Sequence, residues 1–140
     1  MDSDTLTAIE EIKQLKARYF RLMDTKQWEE WADVFTEDLD AWIEDVSEAL
    51  VGRDTFVSSV SAMLADALTV HHGHMPEIEV TGPQTARGIW AMFDYVKFAN
   101  PERPLEFKGY GHYHEEYRKG PDARWRISSL KLYRLRVDYT

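Results

Sequence analysis

From Leu68 onward the chain reads as a succession of long strands, and that stretch limits the available folds more than any other feature. The segments run from Leu68 to Met75, Glu77 to Val80, Thr85 to Phe98, Leu105 to Lys119 and Arg124 to Val137, each rich in β-branched and aromatic residues. Gly82-Pro83, Asn100-Pro101 and Gly120-Pro121 punctuate them, because each pair joins a residue tolerant of unusual dihedrals to one that cannot continue a ladder. Strands joined by such short breaks run antiparallel.

The first part of the chain has helical spacing instead. Thr7 and Glu10 form a candidate capping box, followed by Ile9, Ile12, Leu15, Tyr19 and Leu22 along one face. That helix fades near Asp24-Thr25-Lys26, and Trp28, Trp31 and Phe35 mark a shorter second one. Thr36 to Asp38 reads as a turn, Asp40 to Asp45 as a strand, and Gly52-Arg53-Asp54 as the opening of a third helix with Phe56, Val57, Val60 and Leu64 inside. Three helices followed by a meander predict an α+β fold, with a curved sheet wrapped around the helices. The length suits a single domain over residues 1–140, with one core and one pocket.

Composition removes several function classes. Seventeen Lys and Arg against 25 Asp and Glu give a formal charge of -8, which repels nucleic acid and anionic membrane surfaces. No apolar run approaches the roughly 18 residues of a membrane span, and with no cysteine there is neither a disulfide nor a thiolate-bound zinc. A cytoplasmic protein is the expectation. Both alternating rows of Thr85 to Val96 are apolar, Ile89, Phe93 and Tyr95 against Trp90, Met92 and Val96, which predicts burial on both faces and hence a homodimer or trimer.

All five histidines lie in two strand segments, His71-His72-Gly73-His74 and His112-Tyr113-His114. Histidine is the side chain most ready to exchange a proton near neutral pH. Alternation puts Tyr110, His112 and His114 on one face and Gly109, Gly111 and Tyr113 on the other, and one of the two faces looks into the pocket. His72 with His74, and His112 with His114, could gather four nitrogens around a transition metal, but no acidic ligand motif accompanies them, so no metal is expected. Trp28, Trp31 and Phe35 read as core packing.

Ala8-Ile9-Glu10-Glu11-Ile12 through Tyr19 to Asp24, Trp28 to Phe35, His71-His72-Gly73, Gly109-Tyr110-Gly111-His112-Tyr113 and Trp125-Arg126-Ile127 together resemble the SnoaL-like branch of the nuclear transport factor two-like superfamily. That family includes scytalone dehydratase, bile-acid 7α-dehydratase and hexachlorocyclohexane dehydrochlorinase. The resemblance implies a cone-shaped fold in which three N-terminal helices pack on a strongly curved, mixed but mostly antiparallel sheet around a deep apolar pocket. It also implies a catalytic aspartate at the end of the first helix facing a histidine on the strand after the third, places matched by Asp24 and His71, with Tyr19 and His112 as further catalytic residues. Trp42, Trp90 and Tyr110 would line the substrate pocket. The family's arginine in the last strand is matched here by Leu130, with Lys131 beside it, so chloride elimination is not expected. The implied activity is a cofactor-independent dehydratase or isomerase acting on an apolar, cyclic, hydroxylated or carbonyl substrate. A polyketide-cyclase-like enzyme and a non-catalytic ligand-binding or assembly module are the alternatives the same fold carries.

Overall fold

Local signals set the helices of the computed structural model, which describes residues 1–140 apart from Asp45, Ser47 and Arg103. Helix α1 (Ser3–Asp24) starts at Asp2, whose carboxylate accepts the Thr5 N–H at 2.7 Å. The start thus precedes the Thr7–Glu10 pair; Thr7 lies inside the helix and donates its hydroxyl to the Ser3 carbonyl. Its inner stripe of Ala8, Ile12, Leu15, Tyr19, Leu22 and Met23 is buried, and Lys16 is buried among them. The helix stops where Lys26 adopts a left-handed φ of 59°. Helix α2 (Trp28–Ala32) is only five residues long, and its buried Trp31 donates its indole N–H to the Tyr19 carbonyl at 3.0 Å.

Phe35 does not continue that helix but opens strand β1 (Phe35–Ile43), which runs through the residues expected to form a turn. The expected strand end at Asp45 lies outside the described residues. A two-residue strand β2 (Leu50–Val51) precedes helix α3 (Arg53–Leu64), which begins after Gly52 at φ 97° and buries Phe56, Val60 and Leu64.

The remaining strands are β3 (Ala67–Gly82), β4 (Thr85–Phe98), β5 (Glu106–Lys119) and β6 (Trp125–Tyr139). They form one six-stranded sheet in the order β2-β1-β6-β5-β4-β3. Every neighbouring pair is antiparallel except β1 with β6, so the sheet is mixed and mostly antiparallel. It is open, with β2 and β3 at its edges. The two segments expected around Met75 are one strand carrying a bulge: His74 faces Ala91 and Glu77 faces Ile89, with Met75 at φ 46° between them.

Helices α1 and α3 cover one face of the sheet, and alternation decides what meets them. The inward rows are Ala86, Trp90, Met92 and Val96 on β4 and Tyr113 and Tyr117 on β5. Strand β6 is less regular. Its register shifts opposite Glu116/Tyr117 and again opposite Tyr110/Gly111, so the residues paired with the inward row of β5 are Ile127, then Leu130, Leu132 and Arg134, then Val137.

Gly111 permits the second shift. A Cβ there would lie 2.1 Å from the Tyr133 carbonyl oxygen and 2.9 Å from the Arg134 Cα, both backbone atoms that cannot swing aside. Gly111→Ala should therefore cost roughly 1–3 kcal/mol in urea denaturation. A loss below about 0.5 kcal/mol, the level of an ordinary surface change, would mean that the two strands relax freely around the new methyl.

Candidate active site

Between the helices and the inner face of the sheet lies a cavity of about 450 Å³. Its walls are largely apolar, with Met23, Trp31, Phe56, Val60, Leu64, Phe98 and Leu132 among them. Tyr19, His71, Asp94, Tyr113 and Arg134 bring buried polar groups to this lining, and Tyr139 stands exposed at its rim. A concave apolar site with few convergent polar groups is the usual form of a small-molecule site.

The dyad anticipated from the sequence is brought together. Asp24 is the last residue of α1, and β3 passes beside it. One carboxylate oxygen lies 2.7 Å from His71 Nδ1 and also accepts the Thr69 hydroxyl at 2.9 Å; the other accepts the His71 backbone N–H at 2.8 Å. A carboxylate at a helix C-terminus sits against the negative end of the helix dipole, so these three donors are what hold it there. The Phe20 ring stacks nearly parallel to the imidazole, at 6.5 Å between centroids and 15°. Gly73 makes room for it, since a Cβ there would lie 2.7 Å from the Phe20 ring. With Nδ1 engaged, Nε2 is directed toward Asp94, whose nearer oxygen is 3.9 Å away.

Asp94 is engaged in turn. Arg134 donates to both of its oxygens at 2.9 Å, a planar two-point contact with the Asp94 side chain nearly fully buried. Gly109 leaves the space this pair fills: a Cβ at that position would lie 2.1 Å from both Arg134 Nη1 and Asp94 Oδ1. The last strand therefore does send an arginine into the cavity. Placing that strand's pocket residue at Leu130 is corrected: Leu130 shares the inward parity of Leu132 and Arg134 but sits nearer the start of the strand, as fully buried core outside the cavity lining, and β6 reaches the cavity at Leu132 and Arg134.

Behind these groups is a second polar layer. Lys16, with no exposed side-chain surface, lies 2.6 Å from Glu115 and 3.6 Å above the ring centroids of both Tyr19 and Tyr113. Burial pulls its ammonium down to about 8, against the pull of Glu115. Glu115 also accepts the Tyr117 hydroxyl at 2.7 Å, and Tyr117 accepts the Trp90 indole N–H at 2.9 Å. Burial raises the phenols of Tyr19 and Tyr113 well above the ordinary tyrosine value, so both stay protonated donors.

Other anticipated residues stand elsewhere. His112 and Tyr110 lie on the outer face of β5, because the inward parity belongs to Gly109, Gly111, Tyr113 and Glu115; the pocket side assigned to this strand is corrected. Trp42 is likewise on the outer face, its ring 5.1 Å from that of the exposed Tyr133. Trp90 points inward but lines a shallow groove behind Phe20 rather than the cavity. His72 and His74 neighbour each other at 5.9 Å between ring centroids, and among the described residues no three histidine or carboxylate side chains form a metal-ligand group. Asp94 and Tyr113 were missed, although the row Trp90, Met92, Asp94, Val96 carries the signal: a lone carboxylate on an otherwise apolar inner face.

The SnoaL-like domain model matches residues 4–131. The chain belongs to the SnoaL-like domain family. Solved structures share the fold. A protein from Novosphingobium aromaticivorans assigned as a scytalone dehydratase is 21% identical, with 99% of this chain and 91% of that one covered at a TM-score of 0.88. The hexachlorocyclohexane dehydrochlorinase LinA-type3 of Novosphingobium barchaimii is 17% identical over 100% and 94% of the two chains, TM-score 0.85. A Mycobacterium tuberculosis protein of unknown function is 27% identical over 94% and 73%, TM-score 0.77.

In this SnoaL-like protein the three donors on Asp24 dictate one tautomer for neutral His71, with the proton on Nδ1 and the lone pair on Nε2. Nitrogen NMR of labelled protein should show that pattern. A proton on Nε2 instead would mean that the contact with Asp24 is made differently in solution.

Proposed function

We propose that this protein is a cofactor-independent lyase that removes water from an uncharged cyclic β-hydroxy ketone, with His71 as the base and Asp24 as its orienting partner. The observation that supports it most is the dyad's placement: Nδ1 held at 2.7 Å by Asp24 while the ring lines an apolar cavity. His71 Nε2 takes the proton from the carbon beside the carbonyl, and the bond's electrons move onto the carbonyl oxygen as an enolate. Asp24 stabilises the imidazolium that forms. Tyr113 and Arg134 donate to the enolate oxygen, with Tyr19 beside them, and these fixed donors supply electrostatic stabilisation among largely apolar walls. The enolate then re-forms the carbonyl as the carbon–hydroxyl bond breaks, and the Nε2 proton leaves with the hydroxide as water.

The same first step followed by return of the proton to another carbon is a double-bond isomerisation, and attack of the enolate on a second carbonyl is a cyclisation. The reading includes a strongly curved, cone-shaped enclosure of the cavity, a cytoplasmic location and a homodimer or trimer. Half-buried Phe93 and exposed Tyr110 and Tyr133 on the outer sheet face support the assembly.

Screening β-hydroxy ketones of one to three rings for loss of water tests the function, since the cavity volume suits ligands of that size. On any substrate found, His71→Ala should lower kcat by about 100- to 10,000-fold, the usual worth of a positioned base, while circular dichroism stays unchanged. An active His71→Ala protein, or no turnover and no exchange of α-protons with deuterated water across the panel, would sink the lyase reading in favour of a binding module.

A further inference from the structure

The Lys16–Glu115 pair has no part in the mechanism above, yet it occupies the core directly behind the cavity. Stability does not account for it, because buried ion pairs are often replaceable by apolar side chains of similar volume without loss. Its position is more telling. The Lys16 Nζ sits 3.6 Å from the ring centroids of Tyr19 and Tyr113, the two buried phenols of the cavity lining, and 4.7 Å from that of Phe20.

We propose that Lys16, held in place by Glu115, is a positioning residue that fixes the two phenol rings and strengthens the Tyr113 hydroxyl as a hydrogen-bond donor to the substrate's oxygen. The inference rests on the reading of Tyr113 as that donor.

A cation over the face of an aromatic ring is attracted by the ring's negative face, and the attraction grows when both are desolvated. The same charge stabilises electron density arriving on the phenol oxygen, so a hydroxyl under it gives its proton more fully to an acceptor. Glu115 acts in the opposite sense on both phenols. Its carboxylate, however, is shared with Tyr117 at 2.7 Å, whereas the ammonium lies between the two rings. Lys16, its charge directly over both rings, therefore outweighs the carboxylate at these two phenols. The chain Trp90–Tyr117–Glu115–Lys16 also fixes the ammonium from β4 and β5 together, so its position does not depend on the cavity being filled.

The experiment is infrared spectroscopy of carbonyl-labelled tetralone, a bicyclic ketone with no hydroxyl to lose, bound to the full chain. A carbonyl that accepts a strong hydrogen bond absorbs at lower frequency. Tyr113→Phe should raise the bound frequency, and Lys16→Met/Glu115→Gln should raise it by at least half as much, with affinity changed less than about threefold; Gln at 115 keeps an acceptor for Tyr117. If that pair does not fold, Lys16→Gln/Glu115→Gln restores a neutral bond between the positions and should give the same shift. A frequency that responds to Tyr113→Phe but not to the paired variants overturns the role of Lys16 and leaves the proposed function standing. Failure of tetralone to bind, or of Tyr113→Phe to move the band, overturns the donor role of Tyr113 and this inference with it.

Discussion

The carboxylate of Asp24 joins the two halves of the fold. Helix α1 could lie on the sheet by its apolar stripe alone, but burial is non-directional and would permit sliding. Three donors from consecutive odd positions of β3, the Thr69 hydroxyl and the His71 N–H and Nδ1, all converge on the last residue of the helix. Hydrogen bonds to a charged acceptor are worth about 1.5–3 kcal/mol each, so a displacement of one residue along the strand forfeits several at once. Where α1 stops, how it crosses β3, and which way the imidazole faces are fixed by a single group.

The polar groups around the cavity are arranged in layers that share no atoms. Asp24 with His71 lies on the α1–β3 side, Asp94 with Arg134 on β4 and β6, and Lys16 with Glu115 behind the phenols. Each buried charge has its own partner, as burial demands. Glycines make this possible at the sheet's centre. Gly109 leaves space for the Asp94–Arg134 contact and Gly73 for the Phe20 ring that stacks against His71. These are positions where a missing side chain sets the site as much as a present one does.

How much of this the sequence disclosed depends on which rule each residue obeys. Helical spacing located α1 and α3, and the glycine–proline and asparagine–proline pairs located the ends of the strands, because those signals are local. Asp24 and His71 were found by resemblance, and no period would have paired residues 47 positions apart. His112 and Tyr110 were put on the pocket side by resemblance, since alternation says which residues share a face but not which face is inside. Arg134 was hidden by its surroundings: it shares the inward parity of Leu130 and Leu132, but Arg134-Leu135-Arg136 looks like an ordinary solvated run, and the bulge just beyond Arg134 ends the regular alternation there. Lys16 reads as a surface lysine in a helix, and only its tertiary partners identify it otherwise.

The cavity's two ends differ in kind. Its polar end is built on regular strands and a helix terminus, packed and hydrogen-bonded from several directions. Toward the other end the lining passes to Met63, Leu105 and Tyr139, which are 46%, 41% and 70% exposed. Mutational drift at such a rim alters which molecular tails are admitted without disturbing the groups that move protons. A lineage built this way can exchange one substrate for another by retaining its chemistry and editing its doorway.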